Sequence, residues 1–342
     1  MSLFEFVKSF SHDLEENSVP YNEEKEKNSP LEVTIKPEAL DTSNISEGEG
    51  NTAFRPTSFE QYIGQEKAKK RALCYIEGCQ KYKDHFPNTF LSAPAGCGKT
   101  VFANILANML DKKFVTCTAG EIKSEQQLVD KIVECESGIL FLDEAHRITN
   151  KIGTFLLPIL EEYKIAGKKI KPFSMFFATT HKGNLSENLS ALVQRFPLQI
   201  ELDNYKYNEL IRIFQQFLVK QYENENINND IFLKIAKNCR GTPRIGLSLL
   251  REYIYIRDWN RVKDNNNLVY NSLTKRDIKL LNYINQSGGA SKSSLAKYLR
   301  IESKTYEFEV EPFLINQELI TISNKRKITE KGQKLLKDLN NA

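Results

Sequence analysis

Gly98, Lys99 and Thr100 close the stretch "LSAPAGCGKT" over residues 91–100. They match the end of a phosphate-binding loop, whose strict pattern is G-x-x-x-x-G-K-[ST]. Counting back, the pattern's first glycine falls on Ala93. In such a loop successive backbone N–H groups and a helix N-terminus face polyphosphate. Lys99 would reach the outer phosphates and the Thr100 hydroxyl would ligate Mg²⁺. Gly96 and Gly98 supply the unusual backbone angles nearest Lys99, whereas position 93 only begins the loop, where a methyl group is a small addition.

A second group lies in "GILFLDEAHR", where Asp143 and Glu144 end an apolar run. An aspartate there can hold the water shell of Mg²⁺, and the glutamate beside it can orient and deprotonate an attacking water. Alone, the pair could simply cap the next helix. "DEAH" at 143–146 also spells a motif of one helicase superfamily, but those enzymes need two recombinase-like domains, and no second α/β pattern follows Leu202. His146 is therefore expected on the rim of the site. Two arginines can add positive charge to a transferring phosphoryl group. Arg195, in "ALVQRF", is expected to leave its own subunit, and Arg244, in "RGTPRI", to open a later helix; surface ion pairs are the plain alternative for each.

The elements needed to position these groups are legible. "NTFLSA", "KFVTCTAG", "GILFLDEA", "PFSMFFATT" and "LQIELD" read as strands, "GILFLDEA" as a fully apolar buried one and "PFSMFFATT" as another buried strand. The segments between them read as helices: "QEKAKKRALCYIEGCQKYK" before the first strand, then "KTVFANILANML", "SEQQLVDKIVECE", "KIGTFLLPILEEY" and "SENLSALVQRF". Apolar strands alternating with helices predict a parallel sheet covered on both faces. From Lys206 to about Trp259 three amphipathic helical segments follow, and "RVKDNNNLVYNSL" reads as a polar linker. The last stretch reads as helices over 275–286, 291–299 and 303–316, then two short strands around a basic turn, a winged-helix pattern.

Composition sets outer bounds. The chain has 342 residues, enough for two or three domains, with apolar and charged fractions of 40% and 27% that fit a globular protein. It has no apolar run of about eighteen residues to span a membrane and no secretory leader pattern, so a cytoplasmic location is expected. The six cysteines are scattered without zinc spacing and read as buried, reduced thiols. Residues 1–50 carry 12 acidic and 4 basic side chains and read as disordered, with one short amphipathic helix near Leu3–Phe10. Residues 271–342 carry 13 basic and 8 acidic side chains, which suggests a nucleic-acid surface at that end.

With these residues in view, the chain resembles the AAA+ ATPases, and within them the RuvB family of Holliday-junction branch-migration motors, from about Arg55 to Leu336. "RPTSFEQYIGQEKAKKRAL" is similar to that family's opening motif, and "APAGCGKT" to its G-P-P-G-L-G-K-T. "LFLDEAHRI" is similar to its Walker B strand, and "FFATTHKGNL" to its sensor stretch, with Thr180 in the sensing place. "SALVQRF" keeps one of the two arginines of S-P-L-R-D-R-F, so Arg195 is the implied finger. "RGTPRIGLSLLREYIYIRD" is the most specific match, and "EPFL" at 311–314 resembles part of the family's winged helix.

The resemblance implies ATP and Mg²⁺ as cofactors. Catalytic roles fall to Glu144, Arg195 and Thr180. Nucleotide contacts fall to Ile63, Gly64, Ala95, Gly96, Cys97, Gly98, Lys99, Thr100, Val101, Asp143, Tyr205, Pro243 and Arg244, and metal contacts to Thr100 and Asp143. The expected architecture is an α/β AAA+ P-loop core over 53–203, a helical lid and linker over 204–270, and a winged helix over 271–342, behind an acidic extension over 1–52. Phosphate contacts to DNA are assigned to Lys325, Arg326 and Lys327, which are expected to project from the wing turn; Asn324 stands where the family has another arginine. A homo-oligomeric ring, a hexamer, is implied. Between Glu162 and Pro172 the chain has only "YKIAGKKIK", where the family has a longer hairpin that docks RuvA, so a RuvA-like partner is in question. The alternatives are an ATP-switched DNA-binding or loading factor, and a regulatory module of a mobile-element or defence system.

Overall fold

The structure, a computed structural model, describes residues 54–165, 167–180 and 192–340. The acidic extension and the short helix expected in it, most of "SENLSALVQRF" and the "HKGNL" end of the sensor stretch lie outside these residues.

The first elements are α1 (Glu66–Tyr82), β1 (Thr89–Ser92), α2 (Lys99–Met109), β2 (Phe114–Thr118), α3 (Glu125–Cys135) and β3 (Ile139–Asp143). A 3-10 turn at Ala145–Arg147 leads to α4 (Asn150–Glu162), and a small hairpin follows from β4 (Lys164–Ile165) and β5 (Lys168–Lys169). Then come β6 (Ser174–Thr179) and β7 (Leu198–Glu201). Five strands pair in parallel in the order β2-β3-β6-β1-β7. Every residue of β1 and β6 is buried, as a parallel sheet covered on both faces requires. One core cluster joins Phe90, Leu140, Leu142 and Phe177 of the sheet to Leu128 and Ile132 of α3 and Leu156 and Ile159 of α4. Ser124 and Thr149 cap α3 and α4 by accepting the N–H of Gln127 and Ile152, which fixes where each helix starts.

This strand order places the C-terminal ends of β3, β6 and β1 side by side. In open α/β sheets ligands bind beyond those ends. Asp143, Thr179 and Ala93 are neighbours there, and the Ala93 N–H donates to the Thr179 carbonyl at 3.1 Å.

The helical part comprises α5 (Tyr207–Gln221), α6 (Asn229–Lys237), α7 (Pro243–Ile256) and α8 (Trp259–Asn265). The expected polar linker is in fact ordered: α8 is followed by the paired strands β8 (Leu268–Tyr270) and β9 (Leu273–Thr274). Its asparagines are structural. Asn265 and Asn266 donate to the Glu252 carboxylate at 2.7 and 2.6 Å, and Asn267 and Asn271 take left-handed backbone angles that asparagine tolerates.

The last part holds α9 (Lys275–Gln286), α10 (Lys292–Leu299) and α11 (Ser303–Thr305). A turn of π-helix at Tyr306–Val310, α12 (Glu311–Asn316), β10 (Ile320–Ile322), β11 (Arg326–Ile328) and α13 (Glu330–Asn340) complete it. Helix α13 is an addition to the expected pattern, and its Leu336 enters the same core as Leu280, Leu295 and Leu314. The cysteines also differ in part from expectation. All six are free thiols, and four are buried, but Cys74 is exposed and Cys79 half-buried.

Candidate active site

The loop from β1 to α2 carries two glycines in left-handed conformation, Gly96 at φ 79° and Gly98 at φ 89°. Neither position tolerates a side chain. A Cβ on Gly98 would lie 2.9 Å from the Tyr62 hydroxyl, and one on Gly96 would lie 2.8 Å from Cγ2 of Thr242 and 2.9 Å from Cβ of Arg244. The loop is therefore held between Tyr62 beneath it and the start of α7 against it. Tyr62 also donates to the Cys97 carbonyl at 3.3 Å, and the Cys97 thiol meets Asn204 at 3.7 Å. Burial pushes the Cys97 thiol up to about 11, so it is a neutral packing group.

Lys99 is buried, and its ammonium lies 3.3 Å from the Ala93 carbonyl. Desolvation lowers its pKa, the negative charges of Asp143 and Glu144 oppose that, and Arg244 reinforces it. Lys99, Asp143, Glu144 and Arg244 thus share one electrostatic site, although they come from α2, β3, the following turn and α7. A desolvated cation among carboxylates is suited to a polyanionic ligand. Thr100 and Val101, half-buried, follow in the first turn of α2, and Ala95 is exposed at the loop's tip.

At the end of β3, Asp143 accepts the Glu144 N–H at 2.8 Å. Glu144 itself sits at φ 51°, a strained angle for a residue with a Cβ, and such strain gathers at functional sites. Its carboxylate is paired with Arg147 at 3.0 Å. His146 lies 3.3 Å from the Thr179 hydroxyl at the end of β6, and burial lowers its pKa. Thr180 is half-buried directly after Thr179.

On the opposite wall, Gly64 packs against Tyr205 and Glu209, where an added Cβ would lie 3.1 and 2.9 Å from their side chains. The half-buried Ile63 precedes it, and Pro243 and the exposed Arg244 start α7. Arg195, between α4 and β7, is partly exposed, and its Nε meets Glu161 of α4 at 2.5 Å. Four further residues of this site, Tyr62, Asn204, Thr242 and Arg147, are given no role by the sequence. Tyr62, Thr242 and Arg147 lie inside the recognised motifs "RPTSFEQYIGQEKAKKRAL", "RGTPRI" and "LFLDEAHRI", which is the signal that points to them, and Asn204 has none.

Thr100, in the first turn of α2, and Asp143, at the end of β3, are the hydroxyl and the carboxylate with the chemistry to hold Mg²⁺. Mg²⁺ commonly takes one or two protein oxygens and completes its shell with phosphates and water. Among the described residues no group of three His, Cys, Asp or Glu side chains forms a separate metal cage.

The wing departs from expectation. Only Lys325 belongs to the turn, whereas Arg326 and Lys327 lie in β11. Lys325 and Lys327 are exposed. Arg326 turns inward and makes a two-point contact with Glu311, Nε to Oε1 at 2.6 Å and Nη2 to Oε2 at 3.2 Å. The physical reason is local: Glu311 at the start of α12 is buried, and a buried carboxylate requires a cation. The short hairpin also lies flat, with Ile165 of β4 and Ile170 just after β5 packed back onto the core.

Residues 54–202 match the Holliday junction DNA helicase RuvB P-loop domain, residues 205–283 the RuvB AAA lid domain, and residues 271–337 the RuvB C-terminal winged helix domain. The Holliday junction branch migration complex subunit RuvB of Campylobacter jejuni subsp. doylei is 32% identical over 294 residues, covering 77% of this chain and 85% of the relative. That of Nitratiruptor sp. is 30% identical over 316 residues, covering 84% and 92%. The Thermotoga maritima RuvB Holliday junction branch migration motor superposes with a TM-score of 0.74 at 28% identity, over 83% of this chain and 98% of that one. The parallel sheet with its phosphate loop, the helical lid and the winged helix follow one another as in these relatives, and the chain belongs to the RuvB family of AAA+ ATPases.

Proposed function

We propose that this chain is an ATP-driven DNA motor of the RuvB type, which moves the branch point of joined duplexes in recombination and repair. The observation that carries this reading is the packing of Thr242 and Arg244, at the start of α7, directly on Gly96 of the phosphate loop. A lid that rests on the phosphates' own loop can respond to whether they are there.

The residues divide the work. Loop amides and Lys99 bind the phosphates, and Thr100 with Asp143 would hold Mg²⁺, which when bound would supply positive charge to offset that developing on the phosphates. Glu144 leaves Arg147, orients a water and accepts its proton as the water's oxygen bonds to the γ-phosphorus. The bond to the β-phosphate oxygen breaks, releasing ADP and phosphate. Thr180 helps place that water. Arg244 and a neighbouring subunit's Arg195 stabilise the transferring group. Ile63, Gly64 and Tyr205 form the wall for the base. The arginine in trans implies a closed ring, read as a hexamer acting in the cytoplasm.

The flat hairpin favours action without a RuvA-like partner docked in the family's usual way. The domain limits follow the chemistry: an ATPase core over 53–203, a lid over 204–270 and a DNA-binding winged helix over 271–342.

The direct test is dissociation of a synthetic four-way junction, with ATP, with ADP and with Glu144→Gln. ATP-dependent dissociation that the variant lacks is expected. ATP turnover and junction binding without dissociation would instead favour a switched binding factor.

A further inference from the structure

The segment "CRGTPR" at 239–244 reaches in two directions. Its far end, Thr242 and Arg244, rests on the phosphate loop. Its near end, Arg240, reaches the winged helix. The guanidinium Nη2 donates to Asp277 of α9 at 2.6 Å, and the group stacks over the ring of Phe313 on α12, 4.1 Å from its centroid. Its Nε points to the Ser272 carbonyl at 3.4 Å, and its backbone N–H donates to the Ser272 hydroxyl at 3.0 Å. Ser272 is buried, and its hydroxyl also donates to the Lys237 carbonyl at 2.9 Å.

Asp277 is nearly inaccessible and has a second duty. It completes the capping box of α9, accepting from the Thr274 N–H at 2.8 Å. Phe313 lies two residues after Glu311, the partner of Arg326 in the wing. Arg240 itself has φ 54°, so its backbone is turned to serve both ends. Gly241 beside it cannot yield, because a Cβ there would meet Cβ of Asn204 at 2.9 Å.

We infer that Arg240 is the positioning residue that couples nucleotide state to the DNA-binding domain. It fixes α9 and α12 to the strand of chain that senses the phosphate loop. A displacement of Thr242 and Arg244 on hydrolysis is then carried to the winged helix as a body, because an Arg–carboxylate contact and a ring stack hold direction as well as distance. This inference rests on the motor reading above and names the residue through which the lid acts.

The experiment compares the junction-DNA dissociation constant of the full chain in ATP analogue and in ADP, for wild type, Arg240→Met and Phe313→Leu. Coupled sites commonly change each other's affinity by about 5- to 150-fold. In wild type the two constants should differ within that range. In Arg240→Met their ratio should fall towards one, with DNA-free ATP turnover within about twofold of wild type. Phe313→Leu removes the stack from the other side and should reduce the ratio in the same sense. It also serves if Arg240→Met fails to fold. A merely structural Arg240 would weaken DNA binding equally in both nucleotides and leave the ratio intact, which overturns the inference, as does a wild-type ratio of one. Loss of ATP turnover or of DNA binding in wild type would instead sink the motor reading.

Discussion

The Lys99 ammonium sits 3.3 Å from the carbonyl oxygen of Ala93, the one residue of the phosphate loop that breaks the strict pattern. Ala93 takes part through its backbone alone, its N–H donating to Thr179 and its carbonyl accepting from Lys99. The methyl group touches none of this. Ala93→Gly should therefore leave ATP affinity within about twofold and cost about 0.5–1 kcal/mol of stability through added backbone freedom. Lys99→Ala should abolish binding, because the loop keeps its amides but loses its buried cation. Titration with a fluorescent ATP analogue in Mg²⁺ decides both, and wild-type protein that binds nothing would refute the loop's function.

Glu144→Gln should bind ATP and not turn it over, since phosphate contacts remain and the base is gone. Arg195→Ala should also bind, with turnover lower by about 1,000-fold or more. Arg195 is partly exposed beside Glu161, which leaves it accessible to a neighbouring subunit. Mixing the two inactive variants then rebuilds some interfaces with both groups intact. Partial recovery of ATPase is expected, and no recovery at any ratio would mean that each site is complete within one chain.

His146 gives a pH test of the same wall. Burial lowers its pKa below the ordinary 6.5. Between the two values the unfolded chain holds the extra proton and the folded chain does not, so stability falls as pH drops through 6.5 and levels off below the folded value. His146→Gln removes that contribution. Thermal unfolding at pH 7.5 and 5.5 should show a smaller fall in Tm for the variant. An equal fall would mean that the imidazole meets no desolvation.

The phosphate loop and the carboxylate pair of the candidate site are legible in the sequence because their signals are local. A strand that enters a glycine-rich loop and a helix that leaves it are read within a dozen residues, and so is a carboxylate pair ending an apolar run. The packing of Thr242 on Gly96 is not legible, since the two lie in different elements and only the fold brings them together. The segment at 261–273 misleads for another reason: a run of asparagines has the composition of a loose linker, yet each amide here finds a partner or a left-handed turn. Helix α13 is hidden by its polarity, with Leu336 in the buried core and Leu335 packed against it.

Arg326 shows the same limit most sharply, and it yields the last prediction. By sequence it is one of three consecutive cations at the wing, but the buried Glu311 claims it from another helix. Lys325 and Lys327 stay exposed to solvent. Replacing both lysines with alanine should lower the slope of log K against log salt by about 0.9 for each duplex-DNA phosphate that the protein ceases to neutralise. The weakening should be the same for all sequences, since phosphates carry no base identity, and DNA-free ATPase should persist. Arg326→Ala should act differently. It strands a buried carboxylate and should cost about 3–5 kcal/mol of winged-helix stability, with little change of slope in the protein that stays folded. If Arg326→Ala lowers the slope as the lysines do and leaves Tm unchanged, the ion pair opens on DNA and the arginine is a phosphate ligand after all. If neither variant alters affinity or slope, the wing is not the DNA grip.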